Sequence, residues 1–99
     1  MRNIILPEPL AFEWDSGNLN KNLIKHNIAK DEAEQAFVNE NLIWNDERHS
    51  HEEVRYNLVG LTDADKILFI SFTVRKSKVR IISARLADKK ERKIYEEKI

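Results

Sequence analysis

Residues 54–86 read VRYNLVGLTDADKILFISFTVRKSKVRIISARL, three β-type runs separated by two short polar breaks. Val54 to Leu61 alternates, with Tyr56 and Leu58 on one face and Arg55 and Asn57 on the other. Thr62-Asp63-Ala64-Asp65 reads as a hairpin turn. Lys66 to Val74 is apolar on both faces, as a central strand should be. Lys76-Ser77-Lys78 reads as a second turn, and Val79 to Leu86 is rich in β-branched residues. Three strands in such close order imply an antiparallel meander.

The flanking sequence supplies helices. Upstream, Ala11 to Trp14 suits a short strand, and Asn18 to His26 reads as a helix with Leu19 and Leu23 on one stripe. Asn27 is its expected stop, because asparagine tolerates the left-handed backbone that ends helices. A second helix is expected from about Asp31 to Val38, with Ala33, Ala36 and Phe37 spaced for one face. Asn41 to Trp44 suits a further short strand, and Asn45 to Glu52 a polar loop. Downstream, Asp88 and Glu91 form a capping box for a last helix that reaches about Lys98, with Ile94 and Tyr95 as apolar contacts. The expected fold is α+β: an antiparallel β-sheet, comprising the C-terminal meander and an N-terminal strand, with two N-terminal helices and one C-terminal helix. The helices are expected to share one face of the sheet.

Ninety-nine residues have room for one core, so residues 1–99 are read as one domain, with 1–11, around Pro7 and Pro9, as a loose lead-in. The absence of cysteine excludes disulfides, zinc–thiolate sites and cysteine nucleophiles. The longest apolar runs are too short to span a membrane, and the first residues do not resemble a signal peptide; a cytoplasmic protein is expected. Zero formal net charge conceals an asymmetry: Met1 to Asp65 holds six basic against thirteen acidic residues, and Lys66 to Ile99 eleven against four. A basic C-terminal third suggests a surface for a polyanion, unless the fold interleaves the two halves.

Strand parity sharpens that suggestion. Ser71, Thr73 and Arg75 share one face of the central strand, opposite Leu68, Ile70 and Phe72. Arg80 and Arg85 lie five apart, so without a bulge they point to opposite faces. With Arg55 they make four arginines in a small sheet, whose only strand carboxylates are Glu52 and Glu53 at its start. Arginine suits phosphate because its planar fork bonds bidentately and keeps its charge. An arginine-lined open sheet face is a plausible RNA platform.

The histidines allow several readings. His26, beside Lys25, stands where a helix C-terminus favours cations, and it could also carry a proton. His49 and His51 could share a face with Glu53 and bind a metal, although His-x-His in a polar loop is more often a solvated turn. No phosphate-cradling glycine loop, serine nucleophile elbow or paired-aspartate metal motif is present. A nuclease built from these residues would therefore work without metal or other cofactor. The RNA's own 2′-hydroxyl would attack the neighbouring phosphate, assisted by a base, an acid and cations.

Several stretches, in order, resemble the BrnT family of type II toxins, which share the RelE-like ribonuclease fold. They are Phe12 to Asp15, Asn22 to His26, Asp31 to Ala33 with Phe37, Asp46, Glu53 to Tyr56, Gly60, Thr73 to Arg75, Arg80 to Arg85 and Glu91 to Glu96. The run RIISAR followed by ERKIYE is the most specific part. The resemblance implies mRNA cleavage that arrests translation. It also implies neutralisation by an antitoxin with a ribbon–helix–helix domain, through which any contact with DNA would be indirect. It points to Lys25, His26, Glu53, Arg55, Thr73, Arg75, Arg80, Ser83 and Arg85 without dividing their roles; Lys25, His26, Glu53, Arg55, Arg75 and Arg85 are taken as catalytic candidates. Thr73, Arg80 and Ser83, with the turn residues Lys76 and Lys78, are RNA-binding candidates. Asn27 stands where the family usually has glycine, and Ala29-Lys30 replaces a capping serine and an apolar residue. The alternatives are a non-catalytic toxin-fold partner that binds antitoxin or RNA without cleavage, and a metal-dependent nuclease using His49 and His51.

Overall fold

The computed structural model describes residues 6–19 and 26–98. Four strands form one antiparallel sheet in sequence order: β1 (Asn41–Asn45), β2 (Tyr56–Leu61), β3 (Ile67–Arg75) and β4 (Lys78–Leu86). Helix α1 (Lys30–Val38) precedes the sheet and α2 (Lys89–Lys98) follows it. The α+β class and the meander agree with the sequence. Residues 16–19 and His26 are helical, but 20–25, the middle of the expected first helix, lie outside the described residues. Asn27 has φ 56°, the left-handed stop its position suggested.

One face of the sheet carries the main core. Leu58, Leu68, Ile70, Phe72, Val79, Ile81 and Ala84 are buried there against Ile28, Ala33, Ala36 and Phe37. Each large side chain so buried contributes about 1.5–3 kcal/mol. The α1 backbone approaches β2 closely: a Cβ on Gly60 would lie 2.6 Å from the Ala36 carbonyl oxygen, so only glycine fits. With alanine at its N-cap, α1 has no capping side chain there. Instead, Glu32 reaches back to accept the Ala29 N–H at 3.0 Å.

The helices do not share a face. Adjacent strand residues point oppositely, yet Leu58 and Val59 are both 0% exposed. Helix α2 touches β1 and β2, and it covers the Val59 side while α1 covers the Leu58 side. Its Asp88–Glu91 capping box forms in both directions, at 2.8 and 2.9 Å. Tyr95 is buried as expected, whereas Ile94 is 38% exposed, because only one side of this short helix meets the sheet.

Residues 6–15 are packed down. Leu6, Leu10, Phe12 and Trp14 lie against the core, and Phe12, Phe37 and Phe72 form edge-on contacts at 5.2 and 4.9 Å. The partner of the 11–14 stretch is β4, which it meets in a single parallel bridge, Phe12 to Val79. The fourth strand of the sheet proper is Asn41–Asn45, paired with β2.

Candidate functional site

The site grows out of an irregularity in β4. The pairing of β3 with β4 runs Ser71↔Ser83 and then Phe72↔Ile81, so Ile82 is an extra residue on β4. Beyond this bulge the side-chain alternation of β4 is reset. Arg85 pairs with Phe69, Ser83 with Ser71, Arg80 with Thr73 and Lys78 with Arg75, and paired residues share a face. Both arginines of β4 therefore stand on the face of Thr73 and Arg75.

That face divides into three bands. At the α2 end, Leu42, Val59 and Phe69 form an apolar row beneath the helix. The middle row is Trp44, Asn57, Ser71 and Ser83, one residue from each strand. The far end holds Arg55, Thr73, Arg75, Lys78 and Arg80. A groove of about 660 Å³ runs over the middle row to the 45–49 loop, with Arg55 at its border. A second hollow, of about 400 Å³ and lined by Glu53 and Arg75, meets the first at His49 and Arg55.

The strand arginines differ sharply in their engagement. Arg85 forms a bidentate pair with Glu91 at 2.8 and 2.9 Å, and its guanidinium lies 4.5 Å above the Phe69 ring. Arg80 grips Asp15 at 2.9 and 3.2 Å, with Glu13 at 3.5 Å, fastening the 11–15 segment to β4. Arg75 binds Glu53 at 2.9 and 2.6 Å. The hydrogen bond from Arg75 holds the Glu53 carboxyl below its ordinary range, so it remains ionised at neutral pH. Arg55 alone among these four makes no hydrogen bond or close ion pair through its guanidinium among the described residues, although its charge is felt at Glu53.

All the remaining candidates except Lys25 fall among the described residues. The Thr73 hydroxyl is buried and donates to the Val54 carbonyl at 2.8 Å. Ser83 lines the groove, while Lys76 and Lys78 are exposed at the β3–β4 turn. Lys25 lies outside the described residues. His26 is half-buried, two residues before the core residue Ile28, and does not line the groove.

Several groove residues are not among the candidates drawn from the sequence, although the sequence puts Ser71 and Asn57 on the right face. Trp44, Arg48, Asn57, Phe69 and Ser71 line it, and Asp46 places its carboxylate 2.9 Å from Nδ1 of His49. From the sequence His49 reads as a solvated turn residue or a metal ligand; here it forms a histidine–carboxylate pair at the groove wall. Among the described residues, no group of three or more His, Asp or Glu side chains converges to hold a metal ion. The three-residue spacing of Asp46 and His49 was a signal, but only the 3₁₀ turn Glu47–His49 brings the two side chains together.

Among the described residues, the arrangement offers two guanidinia without a hydrogen bond or ion pair, those of Arg55 and Arg48, together with a histidine oriented by a carboxylate and a polar and aromatic floor. Such a surface can bind a phosphodiester and move a proton beside it. The family model described as ribonuclease toxin, BrnT, of type II toxin–antitoxin system matches residues 14–91, most of the chain. No curated protein matches it.

Proposed function

This chain belongs to the BrnT family of type II toxin–antitoxin ribonuclease toxins, and on that premise we propose that it cleaves mRNA in the groove bordered by Arg55 and His49, without a metal ion. The observation that carries this reading is the Arg55 guanidinium, which makes no hydrogen bond or ion pair among the described residues and stands where the two hollows meet. A buried or half-buried charge left without a partner is costly unless a ligand or water meets it.

The reaction that fits these groups is attack by a ribose 2′-hydroxyl on the adjacent phosphorus. The 2′-oxygen forms a P–O bond, the bond to the 5′-oxygen breaks, and the products carry a 2′,3′-cyclic phosphate and a 5′-hydroxyl. Arg55 stabilises the extra charge on the phosphorane. Asp46 engages Nδ1 of His49 and so leaves Nε2 as the atom that takes or gives the proton. Glu53, held ionised by Arg75, adds a carboxylate at the second hollow. Lys76, Lys78 and Ser83 extend the contact surface for the RNA strand. Arg80 and Arg85, spent on Asp15 and Glu91, hold the platform together. Lys25 and His26 remain family-based candidates on which this reading does not depend.

Family membership also supports an antitoxin partner. We take that partner to carry a ribbon–helix–helix domain, and the protein to act in the cytoplasm on translated mRNA. Among the described residues, no helix is long and apolar enough to cross a membrane.

The test is incubation of the purified protein with RNA in excess chelator, followed by analysis of the new ends. Cyclic-phosphate and 5′-hydroxyl ends are expected, and they should disappear in Arg55→Ala. Cutting that chelator abolishes and a divalent cation restores would overturn the metal-free mechanism. RNA bound but left intact would favour the non-catalytic toxin-fold reading.

A further inference from the structure

The middle row of the open face has a chemistry distinct from the charged band beside it. Trp44, Asn57, Ser71 and Ser83 lie in register across all four strands, with neighbouring strands about 4.8 Å apart. No charged side chain stands in this row, and it sets N–H donors that lack an acceptor among the described residues beside serine hydroxyl oxygens that can accept.

Two details establish this. The Ser71 hydroxyl donates to Oδ1 of Asn57 at 3.0 Å, which engages the amide's acceptor end. Nδ2 of Asn57 then presents two N–H groups for which the described residues supply no acceptor. Trp44 likewise has an indole N–H with no partner among the described residues. Its ring lies 6.2 Å from Phe69 at 56°, so the two rings are not stacked face to face. A groove with an aromatic wall and a clamped amide is suited to a flat group rich in acceptors.

We propose that this row is a base-reading subsite, in which a nucleobase packs on Trp44 and offers two adjacent acceptors to Nδ2 of Asn57. Guanine does so through O6 and N7, and cytosine through O2 and N3. Adenine and uracil place an N–H beside each comparable acceptor, so donor would face donor. An unpaired polar group in such a site is a strong basis for rejecting the wrong base. The clamp from Ser71 is what fixes the sense of the readout, which makes Ser71 a positioning residue. This inference rests on the ribonuclease reading above for the role of the bound base, but not for the binding itself.

The test has two arms, both using the full chain and variants whose melting curves match the wild type. In the first, 3′-GMP, 3′-CMP, 3′-AMP and 3′-UMP are titrated against ¹⁵N-labelled protein. Resonances of the Asn57 side-chain amide should shift with 3′-GMP or 3′-CMP, and this arm shows which of the two is preferred. In the second, cut ends from a random RNA pool are sequenced. Wild type should favour guanine or cytosine at one position beside the cut. Asn57→Asp, which replaces donors by acceptors, should reduce that preference about tenfold or more. Ser71→Ala, which frees the amide to turn, should relax it. Trp44→Ala should raise KM by about five- to a hundredfold through lost stacking. An Asn57 amide unmoved by all four nucleotides, or an Asn57→Asp profile identical to wild type, overturns the proposal. Selective nucleotide binding without any cleavage would leave the subsite standing and remove the ribonuclease reading.

Discussion

Arg80 and Arg85, five residues apart in β4, project from the same face of the sheet because Ile82 is an extra residue between them. Each then finds a carboxylate from a flanking segment: Asp15 ahead of the sheet and Glu91 beyond it. The bulge thus turns two strand arginines into ties between the sheet and its flanking segments.

Arg85→Ala is accordingly expected to act on stability. It removes the bidentate Glu91 pair and the contact over Phe69. Because Arg85 is more than a third exposed, solvent weakens the pair. The loss should be about 1–2 kcal/mol, which for a chain this size lowers Tm by roughly 5–10 °C. Thermal melts at low and high salt check this, and an unchanged Tm would refute the tie.

Arg55→Ala should behave in the opposite way. With no hydrogen bond or ion pair to lose among the described residues, its Tm should stay within about 2 °C of wild type, while cleavage falls by about a hundredfold or more. His49→Ala should reduce the rate by about 10²–10⁴-fold, the range for a lost proton carrier. Rate and melting measurements on the same preparations separate these effects. Full activity in Arg55→Ala would move the phosphate site elsewhere.

The Asp15–Arg80 pair predicts an acid-sensitive contribution to folding. The hydrogen bond from Arg80 holds the Asp15 carboxyl below its ordinary value of 3.8. A depressed carboxyl stabilises the fold above its unfolded value and loses that contribution as pH falls through the folded one. Arg80 stays charged throughout. Asp15→Asn should therefore melt below wild type at pH 7, with the gap closing below about pH 4. A gap that is constant from pH 7 to pH 2 would rule this linkage out.

The β3–β4 turn stores strain. Lys76 and Ser77 adopt φ of 49° and 63°, the conformation of a two-residue type I′ hairpin turn that favours asparagine and glycine. Ser77→Gly should stabilise the protein by about 0.5–1 kcal/mol, since glycine takes this backbone without a Cβ penalty. Urea denaturation would show a raised midpoint with an unchanged slope. A lowered midpoint would mean that Ser77 makes contributions beyond its backbone.

Much of the frame was legible before the structure. Alternation at Tyr56 and Leu58, the doubly apolar run around Phe69, and the Asp88–Glu91 spacing are local signals with local causes. They place the strands, the turns and the last helix. The candidate site was legible only in part: Arg55, Glu53 and Arg75 were singled out, but Trp44, Asn57 and the Asp46–His49 pair were not among the candidates. Trp44 and Asn57 read as ordinary strand residues until β1 and β2 come into register. His49 reads as a loop residue until its turn closes.

By itself, then, the sequence determined the α+β class, the meander and the concentration of basic residues in its last third, because side-chain period and composition are properties of neighbours along the chain. Among the described residues, tertiary structure decided which strand arginines are engaged by carboxylates and which, Arg55, is not. That choice depends on a bulge, and a bulge exists only relative to a partner strand that lacks the extra residue. It depends also on carboxylates that are distant in sequence, such as Asp15 and Glu53, whose approach to Arg80 and Arg75 no local pattern records.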